Sequence, residues 1–153
     1  MEIFSTEQEA FWAGDFGDNY TTRNQSEVLV SSNLALFSKV LSHTHRVRSI
    51  IEFGANIGLN LKAIKQLIPQ AELSAVEINE KAGRILQQDN IYTHIQSIFD
   101  FSSTQKYDFV LIKGLLIHIN PEKISKAYQT MYEASNKYIC IVEYYNATPV
   151  EIT

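Results

Sequence analysis

Apolar positions along the chain alternate between short unbroken runs and helical three- and four-residue spacings. Val47 to Phe53 is a buried-strand run that ends on Gly54. Ile57, Leu61, Ile64 and Ile68 then share one helical face, which Pro69 terminates. Ala71 to Glu77 reads as a second strand, Ile91 to Gln96 as a third, Tyr107 to Ile112 as a fourth and Tyr138 to Val142 as a fifth. Asn79 caps a short helix carrying Ala82, Ile85 and Leu86, and Asn120-Pro121 opens another with proline at its first position. Ile124, Ala127, Tyr128 and Met131 form the inner face of that last helix. Before the first strand a helix should start near Asn24, which stands at capping-box spacing from Glu27. Leu29, Leu36, Phe37, Val40 and Leu41 continue it at helical spacing. Residues 1–23 are aromatic and polar, interrupted by Gly14 and Gly17, and read as a loop with short turns in which Phe11 anchors the segment on the core.

Unbroken strands need cover on both faces, and strands alternating with helices provide it. The pattern predicts an α/β fold with a mostly parallel sheet and right-handed crossovers. The chain reads as one domain over 1–153, with a cap segment at 1–23 and an α/β core at 24–153. In such sheets ligands sit beyond the carboxyl ends of the strands, at the switch point. The residues that follow each strand are therefore the ones to read for chemistry.

Composition narrows the partners. The chain of 153 residues is 45% hydrophobic and 20% charged, with a net charge of −4 and no basic run. Nothing there attracts a nucleic acid. No apolar stretch reaches the ~20 residues that span a bilayer. The acidic start lacks the positive and apolar regions of a signal peptide. The single cysteine, Cys140, excludes a disulfide within the chain and lies in the apolar run Tyr138 to Val142, where it reads as a small buried hydrophobe. A cytoplasmic protein is the expectation. His43 and His45 form an i, i+2 pair and His94 lies elsewhere, so no metal site is indicated.

The first strand leads into Glu52-Phe53-Gly54-Ala55-Asn56-Ile57-Gly58. Gly54 permits a tight strand-to-helix turn with positive φ, and Gly58 permits close packing at the helix start. Asn56 tolerates the left-handed region better than most residues. A nicotinamide dinucleotide site usually carries G-x-G-x-x-G, which this loop lacks. A carboxylate at Glu52 repels a pyrophosphate but attracts an α-amino group. S-adenosylmethionine carries an ammonium, a sulfonium and a carboxylate, and no phosphate. Its ammonium suits Glu52, directly or through water, and its carboxylate suits the amides of the Ala55–Gly58 turn. Glu77, followed by Ile78, stands where an acid accepts both ribose hydroxyls. After the third strand, Ile98, Phe99 or Phe101 can lie against an adenine whose exocyclic amine donates to Asp100. After the fourth, Lys113 to Pro121 should face the sulfonium and an acceptor, with His118 as a candidate base.

As a set these motifs resemble the class I S-adenosylmethionine-dependent methyltransferases over roughly Val47 to Val142. Phe11 to Asn24, Gly114 to Lys123 and Glu143 to Ile152 are also similar to the pseudaminic acid biosynthesis-associated methylases. The resemblance implies a Rossmann-like sheet, S-adenosylmethionine as cofactor with S-adenosylhomocysteine as product, and a small acceptor from a nonulosonic-acid or surface-glycan pathway. It places Tyr20, Arg23, Asn24 and His118 at the acceptor, Arg23 binding a carboxylate or phosphate through its planar fork. Class I sheets usually continue with a sixth and a seventh strand, for which residues 143–153 are too few. The expected order is therefore 3-2-1-4-5, with Ile139, Ile141 and Val142 uncovered at an edge that a second copy of the chain would bury. A monomeric mass by light scattering counts against that oligomer. Two other functions fit less of the pattern: a cofactor-binding module without catalysis, and an NAD-dependent oxidoreductase.

Overall fold

The computed structural model describes residues 4–23 and 27–148. Asn24, expected as a helix cap and an acceptor contact, lies outside the described residues. Five strands form one sheet in the order β3-β2-β1-β4-β5, and every pairing is parallel. They are β1 (Ser49–Phe53), β2 (Glu72–Glu77), β3 (Tyr92–Ile95), β4 (Tyr107–Lys113) and β5 (Ser135–Val142). The helices are α1 (Glu7–Ala13), α2 (Asp15–Arg23), α3 (Glu27–Leu41), α4 (Leu59–Leu67), α5 (Glu80–Gln88) and α6 (Ile124–Ala134). The expected architecture and strand order are those observed. No helix among the described residues is long and apolar enough to cross a membrane.

Side chains on successive strand residues point to opposite faces, so one strand feeds two cores. Ile50 joins Phe37 of α3, Leu61 and Ile64 of α4 and Leu86 of α5 on one side. Ile51 and Phe53 join Val110, Ile112, Phe99 and the α6 residues Ala127 and Met131 on the other. Burial of a side chain the size of Phe37 stabilises the fold by about 2–3 kcal/mol, and it is fully buried here.

The structure departs from the reading in three places. Residues 7–23 form two helices rather than a loop. Thr6 caps α1 by accepting the Glu9 amide at 3.2 Å, while the Glu9 carboxylate accepts from the Ser5 amide at 2.9 Å and from the Thr6 hydroxyl. That resembles a capping box shifted by one residue, with Glu9 on the Ser5 amide rather than on that of the cap, and Gly14 ends the helix it starts. Phe11 is 51% exposed and stacks on Phe16 instead of anchoring to the core. Tyr128 is likewise exposed on α6, where Ala127 and Met131 supply the inner face. Finally, β5 begins at Ser135 because Asp108 holds its polar start, accepting from Asn136 Nδ2 at 3.1 Å and Lys137 Nζ at 3.0 Å. At that edge Ile139 and Ile141 are 41% and 47% exposed.

Candidate functional site

The carboxyl ends of β1, β2 and β4 open into a cavity of about 390 Å³. Two turns build its floor. Gly54 (φ 72°), Asn56 (φ 47°) and Gly58 (φ 78°) all adopt positive φ, so the β1–α4 connection folds back tightly, with the Gly54 amide on the Val76 carbonyl at 2.8 Å and the Gly58 amide on the Ala55 carbonyl at 2.9 Å. A Cβ on Gly58 would come within 2.6 Å of Leu86, which makes that glycine a packing requirement between the turn and α5. The second turn follows β4, where Gly114 has φ 65°. Glu143, just beyond β5, accepts from the Leu115 and Leu116 amides, both at 2.8 Å. This holds the short 3₁₀ segment Leu116–His118 against the cavity.

Glu77 ends β2 inside the cavity. Its Oε2 accepts the Asn56 amide at 2.7 Å and its Oε1 accepts the Asn79 amide at 2.9 Å. Burial pushes its carboxyl above the ordinary range, while the amides of Asn79, Asn56 and Ile78 pull it back. Glu52 is fully buried and does not line the cavity. Asn60 of α4 stands between them, lining the cavity and donating from Nδ2 to Glu52 Oε1 at 2.6 Å. Burial raises the Glu52 carboxyl to about 8; the Asn60 bond and the Lys113 charge oppose the rise, and Glu77 adds to it.

The N-terminal helices roof this floor. Asn79 caps α5 by accepting from the Ala82 amide at 2.9 Å. Its Nδ2 donates to Asp18 Oδ1 at 2.8 Å and to the Trp12 carbonyl at 3.3 Å. Trp12 meets the Tyr20 ring edge-on at 5.3 Å and the His118 ring at 4.7 Å. Burial lowers the pKa of His118, with the Glu143 charge opposing, so the imidazole is neutral near neutral pH.

Of the residues singled out in the sequence, Tyr20, Gly54, Ala55, Asn56, Glu77, Ile78, Ile98, Phe99, Lys113 and His118 line this one cavity. Others do not. Asp100 is exposed and outside it, because the Asp100 amide closes a turn onto the Ser97 carbonyl at 3.1 Å that turns Ile98 and Phe99 inward instead. Arg23, the last residue of α2, is exposed and lies outside the cavity. Cys140 packs against the core, and burial pushes its thiol up, away from a thiolate nucleophile. Sequence reasoning missed Gln8, Glu9, Asn33, Asn60 and Tyr144, which also line the cavity. The signal for Glu9 was the Thr6-x-x-Glu9 capping spacing; Asn60 sits one residue into α4, where no motif marks it.

No family model matches the chain, and no curated protein matches it. Solved structures do resemble it. The plantazolicin methyltransferase BpumL, in complex with a pentazolic desmethylPZN analog and SAH, is 22% identical with a TM-score of 0.66, over 84% of this chain and 51% of that one. A sugar N-methyltransferase from Streptoalloteichus is 14% identical with a TM-score of 0.67, over 96% of this chain and 59% of that one. The magnesium protoporphyrin IX methyltransferase of Synechocystis, with bound SAM, is 15% identical with a TM-score of 0.66, over 92% and 77%. This chain thus spans little more than half the length of the first two, and its fold is the Rossmann-like fold of these methyltransferases.

Proposed function

We propose that this chain binds S-adenosylmethionine and transfers its methyl group to a small polar acceptor. The observation that carries the reading is Glu77. Two backbone amides fix its carboxylate at the switch point, yet each oxygen keeps a lone pair for a ribose hydroxyl. The absence of a phosphate-binding glycine pattern and the buried acid behind Asn60 favour a cationic ligand over a dinucleotide. The SAM- and SAH-bound structures of the same fold support this choice.

When bound, the cofactor supplies an electrophilic methyl on a sulfonium. The chain's own part is placement and exclusion of water. Glu77 orients the ribose, Ile98 and Phe99 offer an apolar wall to the adenine, and the turn at Ala55 faces the carboxylate. Lys113 adds a positive charge on the same side. Trp12, Tyr20 and His118 close over the reacting end, so the acceptor meets the methyl in an enclosed, aligned geometry. A neutral His118 takes a proton from the acceptor as it is methylated.

For the acceptor we favour a sugar of a nonulosonic-acid or surface-glycan pathway. The support is the similarity of residues 11–24 and 114–123 to the associated methylases, together with the sugar N-methyltransferase among the structural neighbours. A second reading, a binding module without transfer, draws on Tyr144, which lines the cavity while 82% exposed and leaves that end open. Incubation with labelled S-adenosylmethionine and a panel of sugar acceptors separates the two. Acceptor-dependent formation of S-adenosylhomocysteine supports transfer. Tight cofactor binding with no turnover on any acceptor supports the module.

A further inference from the structure

Two buried acceptors beside the cavity have no partner among the described residues, and they belong to two side chains already bonded to each other. Asn60 Nδ2 donates to Glu52 Oε1 at 2.6 Å, while Glu52 Oε2 and Asn60 Oδ1 are both buried and unbonded. A carboxylate and an amide joined this way leave both remaining oxygens as acceptors, which burial penalises twice. One proton on Glu52 Oε2 removes both penalties at once: it donates to Asn60 Oδ1 and completes a two-bond acid–amide pair.

We propose that Glu52 and Asn60 share this proton in the empty site, and that Glu52 ionises when a cationic ligand occupies the cavity, so that ligand binding releases a proton. The coupling rests on the reading that the ligand carries an ammonium. The balance is simple: Glu52–COOH becomes Glu52–COO⁻, and the proton passes to the buffer. The new negative charge lies one side chain behind the wall at Asn60, where it attracts the ammonium across a short, poorly screened distance.

The surroundings are consistent with a neutral acid at rest. Glu52 is fully buried, and its carboxyl is raised to about 8 from an ordinary value of 4.5. The charged groups that act on it are Lys113 from β4, which favours ionisation, and Glu77 from β2, which opposes it. Cys140 of β5 feels Glu52 in turn, with a thiol pushed up by burial and so uncharged. Lys113 also lines the cavity, so its charge is divided between Glu52 and whatever the cavity holds.

The test uses Glu52→Gln, whose amide can form the same two bonds with Asn60 but cannot ionise. Folding stability of both proteins is followed against pH. A carboxyl raised on folding contributes stability fully present below its unfolded pKa and lost as pH rises through the folded one. Wild type should therefore lose stability relative to Glu52→Gln between pH 4.5 and about 8, while groups that do not interact with Glu52 cancel in the difference. A difference that does not change with pH overturns the pair. Should Glu52→Gln not fold, infrared difference spectra of wild type across the same range are compared with Asn60→Leu. A protonated-carboxyl band that shifts in Asn60→Leu supports the pair, and its absence or indifference overturns it.

The coupling is then read by calorimetry with S-adenosylhomocysteine near neutral pH in buffers of different ionisation enthalpy. Wild type should release close to one proton per site and Glu52→Gln none. Binding without proton release overturns the coupling. No binding to wild type removes the ligand and the coupling with it, and marks a failure of the cofactor reading, which the ligand-free stability difference does not share.

Discussion

Glu77 and His118 line one cavity but are held there by different means. Glu77 is held by backbone amides on both oxygens, so its position follows from the β1 and β2 turns rather than from a flexible side-chain contact. His118 sits on a segment fixed by Glu143, and burial keeps its ring unprotonated. If it serves as the base, the rate is already on its plateau at neutral pH and falls only below the ordinary histidine range, where the ring gains its proton. His118→Asn should lower kcat by about 10²-fold or more while leaving S-adenosylhomocysteine affinity nearly unchanged. An unchanged kcat with weakened binding would assign His118 to packing against Trp12 instead. That Glu77 and Gly54 lie at the cavity was legible because chemistry and spacing coincide: an acid at a strand end and a glycine after a strand each have few physical uses. Asn60 was not legible, since a lone asparagine early in a helix is ordinary until its partner is known to be a buried acid.

The strands and the helices between them were written in uninterrupted apolar runs and caps, and Asn79 fulfils its expected role at α5. The two N-terminal helices were obscured because Phe11, Trp12, Phe16 and Tyr20 face one another rather than a sheet, so no single helical stripe emerges. The glycines there mark tight packing and not a loop: a Cβ on Gly17 would lie 1.9 Å from the Trp12 carbonyl oxygen. Asn79 joins the two levels, since one side chain caps α5 and holds Asp18 of α2. Asn79→Ala should cost about 1–2 kcal/mol through the lost cap. It should also speed amide exchange in α1 and α2 while leaving β1 and β4 protected, as expected for an element held by few bonds. Equal exchange in both proteins would mean that the aromatic cluster alone secures the roof.

The molecule as a whole places its central strands in the core and its chemistry at their ends. β1 and β4 lie in the middle of the sheet, and the turns that leave them carry Gly54, Asn56, Lys113 and Gly114 into one cavity. Sheet order and site location were therefore predictable together, because the switch between β1 and β4 is where connections diverge and leave space. Asp100 and Arg23, which do not line the cavity, lie where the chain leaves a regular element, and their directions are set by local turns that periodicity does not encode.

The central claim is that Glu77 and the turn beside it form a nucleoside site for S-adenosylmethionine. Titration calorimetry with S-adenosylhomocysteine, on wild type and Glu77→Ala, addresses it directly. The account predicts saturable, one-site binding to wild type, weakened about 10- to 100-fold in the folded variant by the loss of charged hydrogen bonds to the ribose. Equal affinity in both proteins, or no binding to a well-folded wild type, would contradict it.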